Sequence, residues 1–259
     1  MAQLHILSGG AAKGLVGQLE AQFLAQTNCT VSGTYGAVGL MKDKLLTGAP
    51  CDVLILTQAL VDQLTASGDV VAGSAHALGL VKTGVAVKTG EPQPSVDTPA
   101  ALKATLLAAS GIYFPDPAKA TAGIHFMKVL QELGIDQELA PCLRVFPNGA
   151  TAMGEMAASS EVGLVGCTQV TEILYTNGVQ LVAVLPQAFE LATVYTAAVC
   201  TKVAQPQAAA ALIKLLTSPE AAEHDLQCGG HRPKINHRKA MGLKMDDKTG
   251  RRMPCSNIF

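Results

Sequence analysis

Tryptophan is absent from this chain of 259 residues, and aromatic residues make up only 4% of it. That scarcity argues against aromatic platforms for sugars or single-stranded nucleic acid. The seven cysteines (Cys29, Cys51, Cys142, Cys167, Cys200, Cys228 and Cys255) include no CxxC pair and are odd in number. Such a set reads as reduced, buried thiols and not as a disulfide framework or a standard metal site. No apolar run approaches the roughly 18 residues that a membrane-spanning helix requires. Met1 leads directly into a strand pattern, without a basic region, an apolar stretch and a cleavage site in succession.

Nearly half of the residues, 49%, are apolar, enough for one large α/β domain or two smaller lobes. The net charge of -1 is unevenly spread: residues 230–259 hold eight Lys/Arg against two Asp, which is +6, and leave -7 on the rest. An acidic body is not that of a nucleic-acid binder. An anion bound by it would be held by neutral dipoles.

Leu4 to Leu7 form an apolar run that ends in Ser8-Gly9-Gly10, and behind it Val16, Leu19 and Phe23 recur at helical spacing. A strand, a tight turn and a helix follow from this pattern, with the first helix amides exposed at the turn. Those amides lack internal partners and carry partial positive charge, so the turn is suited to an anion. An ordinary α/β connection explains the same residues.

Strand and helix patterns continue to alternate. Strands are expected at 30–35, 51–56, 78–81, 85–87, 112–114, 143–146, 162–165, 179–184 and 193–200. Helices are expected from the turn at Gly36 to Leu46, and at 58–66, 121–133, 150–158 and 207–216, with Thr98-Pro99 capping another. This order implies an α/β fold: mixed, mostly parallel sheets with helices on both faces, and ligands beyond the carboxyl ends of the strands. Four strand-to-helix junctions share small or hydroxylic residues: Ser8-Gly9-Gly10, Gly36-Ala37-Val38-Gly39, Thr121-Ala122-Gly123 and Asn148-Gly149-Ala150-Thr151. Converging, they would grip an oxyanion without Lys or Arg; taken singly, each is a helix cap.

The succession Ser8-Gly9-Gly10, Gly36–Gly39 and Gly48-Ala49-Pro50-Cys51-Asp52-Val53 resembles the molybdate-binding periplasmic receptors of ABC transporters. So do Phe114-Pro115-Asp116-Pro117 through Ala122-Gly123-Ile124, Gln169–Ile173 and Leu216–Ala222. Some relatives in this group resemble aconitate isomerases. The resemblance implies a two-lobed type 2 periplasmic-binding-protein fold, with residues 1–82 and 196–229 in the first lobe and 83–195 in the second. The segment 230–259 is then a basic tail, expected to be disordered. By position, Ser8, Gly9, Gly10, Gly36, Ala37 and Val38 would bind from the first lobe. Thr121, Ala122, Gly123, Ala150, Thr151, Thr168 and Gln169 would bind from the second. Two positions depart from the molybdate receptors: Gly39 replaces a frequent hydroxylic residue, and Gln169-Val170-Thr171-Glu172 stands where a Tyr is frequent. Both leave a larger carboxylate or another oxyanion open as the guest.

Two functions are consistent with this. One is a monomeric binding protein that delivers a small anion to an ABC-type permease. The other is an isomerase that moves a proton within a tricarboxylate, for which Tyr35, His125 and Glu172 are the candidate bases; each is equally at home in a structural role. No cofactor, metal, nucleic acid or membrane insertion is expected. The family expectation is the periplasm if the native chain starts before Met1, and the cytoplasm if Met1 is the native start.

Overall fold

The computed structural model describes residues 2–219 and 221. The basic segment from 230, and with it Cys228, His231, His237 and Cys255, lies outside the described residues. The elements run β1 Ala2–Gly9, α1 Lys13–Thr27, β2 Cys29–Gly36, α2 Val38–Leu46, β3 Val53–Thr57, α3 Gln58–Ala66 and β4 His76–Lys88. They continue with α4 Pro99–Ala108, β5 Gly111–Pro115, α5 Thr121–Glu132, α6 Asp136–Leu139, β6 Leu143–Phe146 and α7 Gly149–Ala158. The last are β7 Leu164–Gln169, α8 Val170–Tyr175, β8 Val179–Val184, β9 Ala192–Val199 and α9 Pro206–Leu216. A 3-10 turn, Gly10–Ala12, joins β1 to α1.

Strand order is β2-β1-β3-β9-β4-β7-β5-β6, with β8 also on β4. Strand β4 organises the two lobes. Its residues from His76 to Lys82 pair antiparallel with β9, and those from Thr83 onward pair antiparallel with β7 and β8. Two short strands, 78–81 and 85–87, were expected here; Lys82-Thr83-Gly84 instead continues one strand through both lobes. Backbone pairing on both sides of Gly84 (to Thr168 and Val184) outweighs its weak strand preference. The strand expected at 162–165 begins at Leu164, because Gly163 takes φ 70° and leaves Val162 73% exposed.

Alternation along β1 sends Leu4 and Ile6 to a core closed by α1 and α9, while Leu7 faces α2 and α3 through Met41, Leu54 and Val61. The second lobe repeats this plan. Phe114 packs on Phe126, Leu102 and Leu106 on one side of its sheet, and Met153, Met156 and Ile173 fill the other. Each such side chain contributes about 1.5–3 kcal/mol on burial. Buried Asp52 ties the first lobe together: it accepts from the amides of His5 (2.8 Å), Ala204 (2.6 Å) and Gln205 (3.1 Å), joining β1 to the start of α9. The five described cysteines are free thiols.

The parallel strands β1, β2, β5 and β6 all end where a turn leads into a helix, and these ends face one another across the lobes. That places helix N-termini on both walls of the cleft.

Candidate functional site

Between the lobes lies a cavity of about 20 Å³, room for about one water in this closed arrangement. From the first lobe it is lined by Gly10, Gly36, Ala37 and Val38, at the 3-10 turn and the start of α2. The second lobe supplies Ala120, Thr121 and Ala122 at the start of α5, and Asn148 and Gly149 at the start of α7. Pro115, Gln169, Glu172 and Tyr195 complete the wall. Among the described residues none that lines it is Lys, Arg or His, so the positive potential from these residues comes from helix amides.

The local sequence leaves two of these helix starts without a side-chain cap. Ala37 and Ala120, the residues before α2 and α5, have no side-chain oxygen with which to cap them. Asn148 does cap α7, accepting from the Thr151 amide at 2.9 Å and from its hydroxyl at 3.0 Å. Gly123 is required for close approach: a Cβ there would collide with the carbonyl of Pro115. Gly149 and Gly10 meet a side chain instead. A Cβ on either would run into the carboxylate of Glu172, which is therefore wedged between the two lobes.

Glu172 is the one acid in the wall, 6% exposed. Its Oε2 accepts from the Thr168 hydroxyl at 2.6 Å, and the carboxylate takes further hydrogen bonds from the amides of Ala150 and Gln169. Burial pushes its pKa up, and the three hydrogen bonds pull in the opposite direction with less effect. Burial likewise raises the Tyr195 phenol, with a further push from Glu172. Beside Glu172, Gln169 is 2% exposed, and neither its Nε2 nor its Oε1 has a hydrogen-bond partner. A buried amide without partners is costly, about 1–3 kcal/mol, and this one borders the cavity.

The lobes are latched next to the cavity. The Gly39 amide donates to the Lys119 carbonyl at 3.0 Å, and Lys119 pairs with Asp43 at 2.7 Å. A Cβ at Gly39 would sit 3.0 Å from that carbonyl, so glycine permits the contact. Outside the latch opens a basin of about 450 Å³ that shares Val38 and Thr121 with the inner cavity. Lys42, Lys119, Lys128 and His125 make it basic, against Asp43 alone.

Of the residues singled out in the sequence, Gly10, Gly36, Ala37, Val38, Thr121, Ala122 and Gln169 line the cavity, as does Glu172. Ala150 and Thr168 stand behind it, both holding Glu172. Ser8 is buried and spends its hydroxyl on the Gly9 carbonyl, 2.9 Å away. Gly9 packs against Tyr195 and Val38, and Thr151 is exposed at its cap. His125 faces the basin, its Nε2 within 2.7 Å of the Phe189 carbonyl. Tyr35 packs against the first core, its hydroxyl pushed up to about 12 by burial and by Glu20 and Tyr175. Tyr195 carries no local signal of its place: it arrives on β9, far along the chain, and only strand pairing brings it to the cavity.

The profile of the bacterial extracellular solute-binding proteins matches residues 4–224. The chain belongs to this family. It is 28% identical, over 228 residues, to an aconitate isomerase from a Pseudomonas species, covering 85% of this chain and 84% of that one. The Azotobacter vinelandii periplasmic molybdate-binding protein superposes with a TM-score of 0.74 at 19% identity, covering 89% of this chain and 100% of the other. The sulfate-binding protein SubI from Mycobacterium tuberculosis H37Rv gives 0.70 at 15% identity, covering 93% and 90%. The two structures establish the two-lobed fold, and the family establishes a solute-binding protein. Among the described residues no helix is long and apolar enough to cross a membrane.

Proposed function

We propose that the protein closes its two lobes, residues 2–82 with 196–219 and residues 83–195, around a small anion that it hands to an ABC-type transporter. The carrying observation is the cavity where the N-termini of α2, α5 and α7 converge with no cation in the wall, beside the partnerless amide of Gln169. Charge-assisted bonds from amides contribute about 1.5–3 kcal/mol each, and exclusion of water by closure strengthens them. The guest class is a compact oxyanion or one carboxylate of a polycarboxylate, and either needs the lobes to sit further apart than here, where the cavity has room for about one water. For the latter, the remaining carboxylates extend past Thr121 into the basin of Lys42, Lys128 and His125. The family's extracellular character favours the periplasm as the compartment. Melting curves with molybdate, tungstate, sulfate and tricarboxylates test the reading: one class is expected to raise the melting temperature, and no shift with any anion would sink it.

A second reading is favoured by one feature. Glu172 places a proton-holding carboxyl in a cleft that would bind carboxylates, and an aconitate isomerase is a relative over most of the chain. Such an enzyme would move a proton within a bound tricarboxylate. A change in the double-bond absorbance of trans-aconitate on incubation with the protein, abolished by Glu172→Gln, would establish catalysis; unchanged absorbance leaves pure binding.

A further inference from the structure

An anion and an ionised Glu172 do not coexist comfortably in one small, cation-free cavity. The carboxylate is fixed there by contacts from both lobes: Gly10 lies against Oε1, while Gly149 and the Thr168 hydroxyl lie against Oε2. It has no room to withdraw while the lobes are closed.

No positive group comes to its rescue. The 3-10 turn at Gly10 and strand β8 contain no titratable residue, and β7 offers neutral Thr168 and Gln169, with Cys167 turned into the core. On α7 the one charge, Glu155, is exposed. On α1, Glu20 is exposed and Lys13 lies over the Tyr175 ring, 5.8 Å from its centre. On β4, Lys82 pairs with Glu190, Lys88 binds the carbonyls of Ser159 and Glu161, and His76 sits at the far, exposed end. From β9 only the Tyr195 phenol faces Glu172, and it is held neutral.

We propose that the guest anion is held in this cleft only with one proton between the Glu172 carboxyl and the guest, a proton taken up with the anion wherever Glu172 is ionised beforehand. With Oε2 accepting from Thr168, the proton belongs on Oε1, the oxygen on the Gly10 side of the cavity. Protonated, Glu172 changes from a repulsive charge into a hydrogen-bond donor, which suits an anion that brings no donor of its own. This rests on the reading of the cleft as an anion site and adds to it a proton stoichiometry and a specificity rule.

Titration calorimetry tests it with molybdate, sulfate and trans-aconitate, anions that bring no proton near neutral pH. Each titration is run in two buffers of different ionisation heat. Above the pH at which Glu172 ionises, wild-type affinity is expected to fall about tenfold per pH unit, with uptake of about one proton per anion. Glu172→Gln is expected to lose the pH dependence and to take up no proton with any anion that it binds. Thr168→Val removes a hydrogen bond that favours the ionised carboxylate, so its pH midpoint is expected to move upward; an unmoved midpoint counts against the proposal. If, above the pH at which Glu172 ionises, the wild type binds an anion without proton uptake, or the Gln variant keeps that uptake, the proposal falls while the anion site stands. If none of the three anions binds at any pH, the anion reading itself falls, and the proton with it. Should Glu172→Gln fail to fold, the wild-type proton count and the Thr168→Val midpoint still decide.

Discussion

The inner cavity and the outer basin share two wall residues, Val38 and Thr121, yet are built on opposite principles. The cavity is small, uncharged except for Glu172, and lined by glycines, alanines and helix starts. The basin is over twenty times larger, at about 450 against 20 Å³, and carries three lysines and a histidine on its walls. Peptide dipoles are weak in water, and they grip an anion well only where water is excluded and the donors are already fixed. Lysine side chains act over a longer range and stay hydrated, so they attract anions without discriminating among them. On the proposed anion reading, selection belongs to the cavity and attraction to the basin.

The largest test of this contrast is Gly149→Ala. The new methyl would press on Thr168 and Glu172, which are buried in the same lobe and bonded to each other, so relief requires α7 or the Glu172 side chain to shift. The overpacking should cost about 1–3 kcal/mol of stability in urea, and because the displaced Glu172 and α7 line the cavity, anion affinity is expected to fall by about tenfold by calorimetry. Wild-type affinity would place the binding site elsewhere. Gln169→Leu separates binding from stability. Removing a buried, partnerless amide is expected to leave the anion-free protein as stable or more so, by about 1 kcal/mol in urea, while weakening the anion about tenfold. A fall in both would show that Gln169 supports the fold.

The pH dependence of the anion-free protein follows from Glu172. Burial raises its folded pKa, so the folded state keeps a proton that the unfolded chain releases at about pH 4.3. This group's contribution to stability is full below that pH and is lost as pH rises through the folded value. Urea midpoints of wild type minus those of Glu172→Gln should therefore fall with rising pH across that window; a flat difference would mean that the carboxyl is not perturbed. The smallest effect is expected in the basin. Lys42→Ala with Lys128→Ala should slow anion association at low salt, and the difference should vanish at high salt with the affinity for sulfate nearly unchanged. For a tricarboxylate that reaches into the basin, the same pair should also lower affinity.

Much of the cleft was legible because its chemistry is local. A glycine or alanine at a strand end, followed by helical spacing, announces free amides at Gly36–Val38 and Thr121–Ala122 wherever the turn ends up. Ser8 shows the limit of such reasoning: its hydroxyl is of a binding type, but the neighbouring Gly9 carbonyl takes it. His125 and Tyr35 have the right chemistry for bases and lie in the basin and against the first core. Glu172 was one of three equal candidates until the packing of Gly10 and Gly149 against its carboxylate set it apart. The continuity of β4 through Gly84 was hidden for a related reason: a residue poor at forming strands is held by neighbours from β7 and β8 that lie far off in the sequence.

By itself the sequence determined the alternation of strands and helices, the two faces of each sheet and the neutral, glycine-rich character of the turns. These depend on spacing along one segment and on the conformational freedom of single residues. Only the tertiary structure decided which turns meet, that Tyr195 and Gln169 share a wall, and that the acid Glu172 sits among helix N-termini. Those outcomes depend on how strands distant in sequence pair, and on the burial this pairing imposes on the groups caught between the lobes.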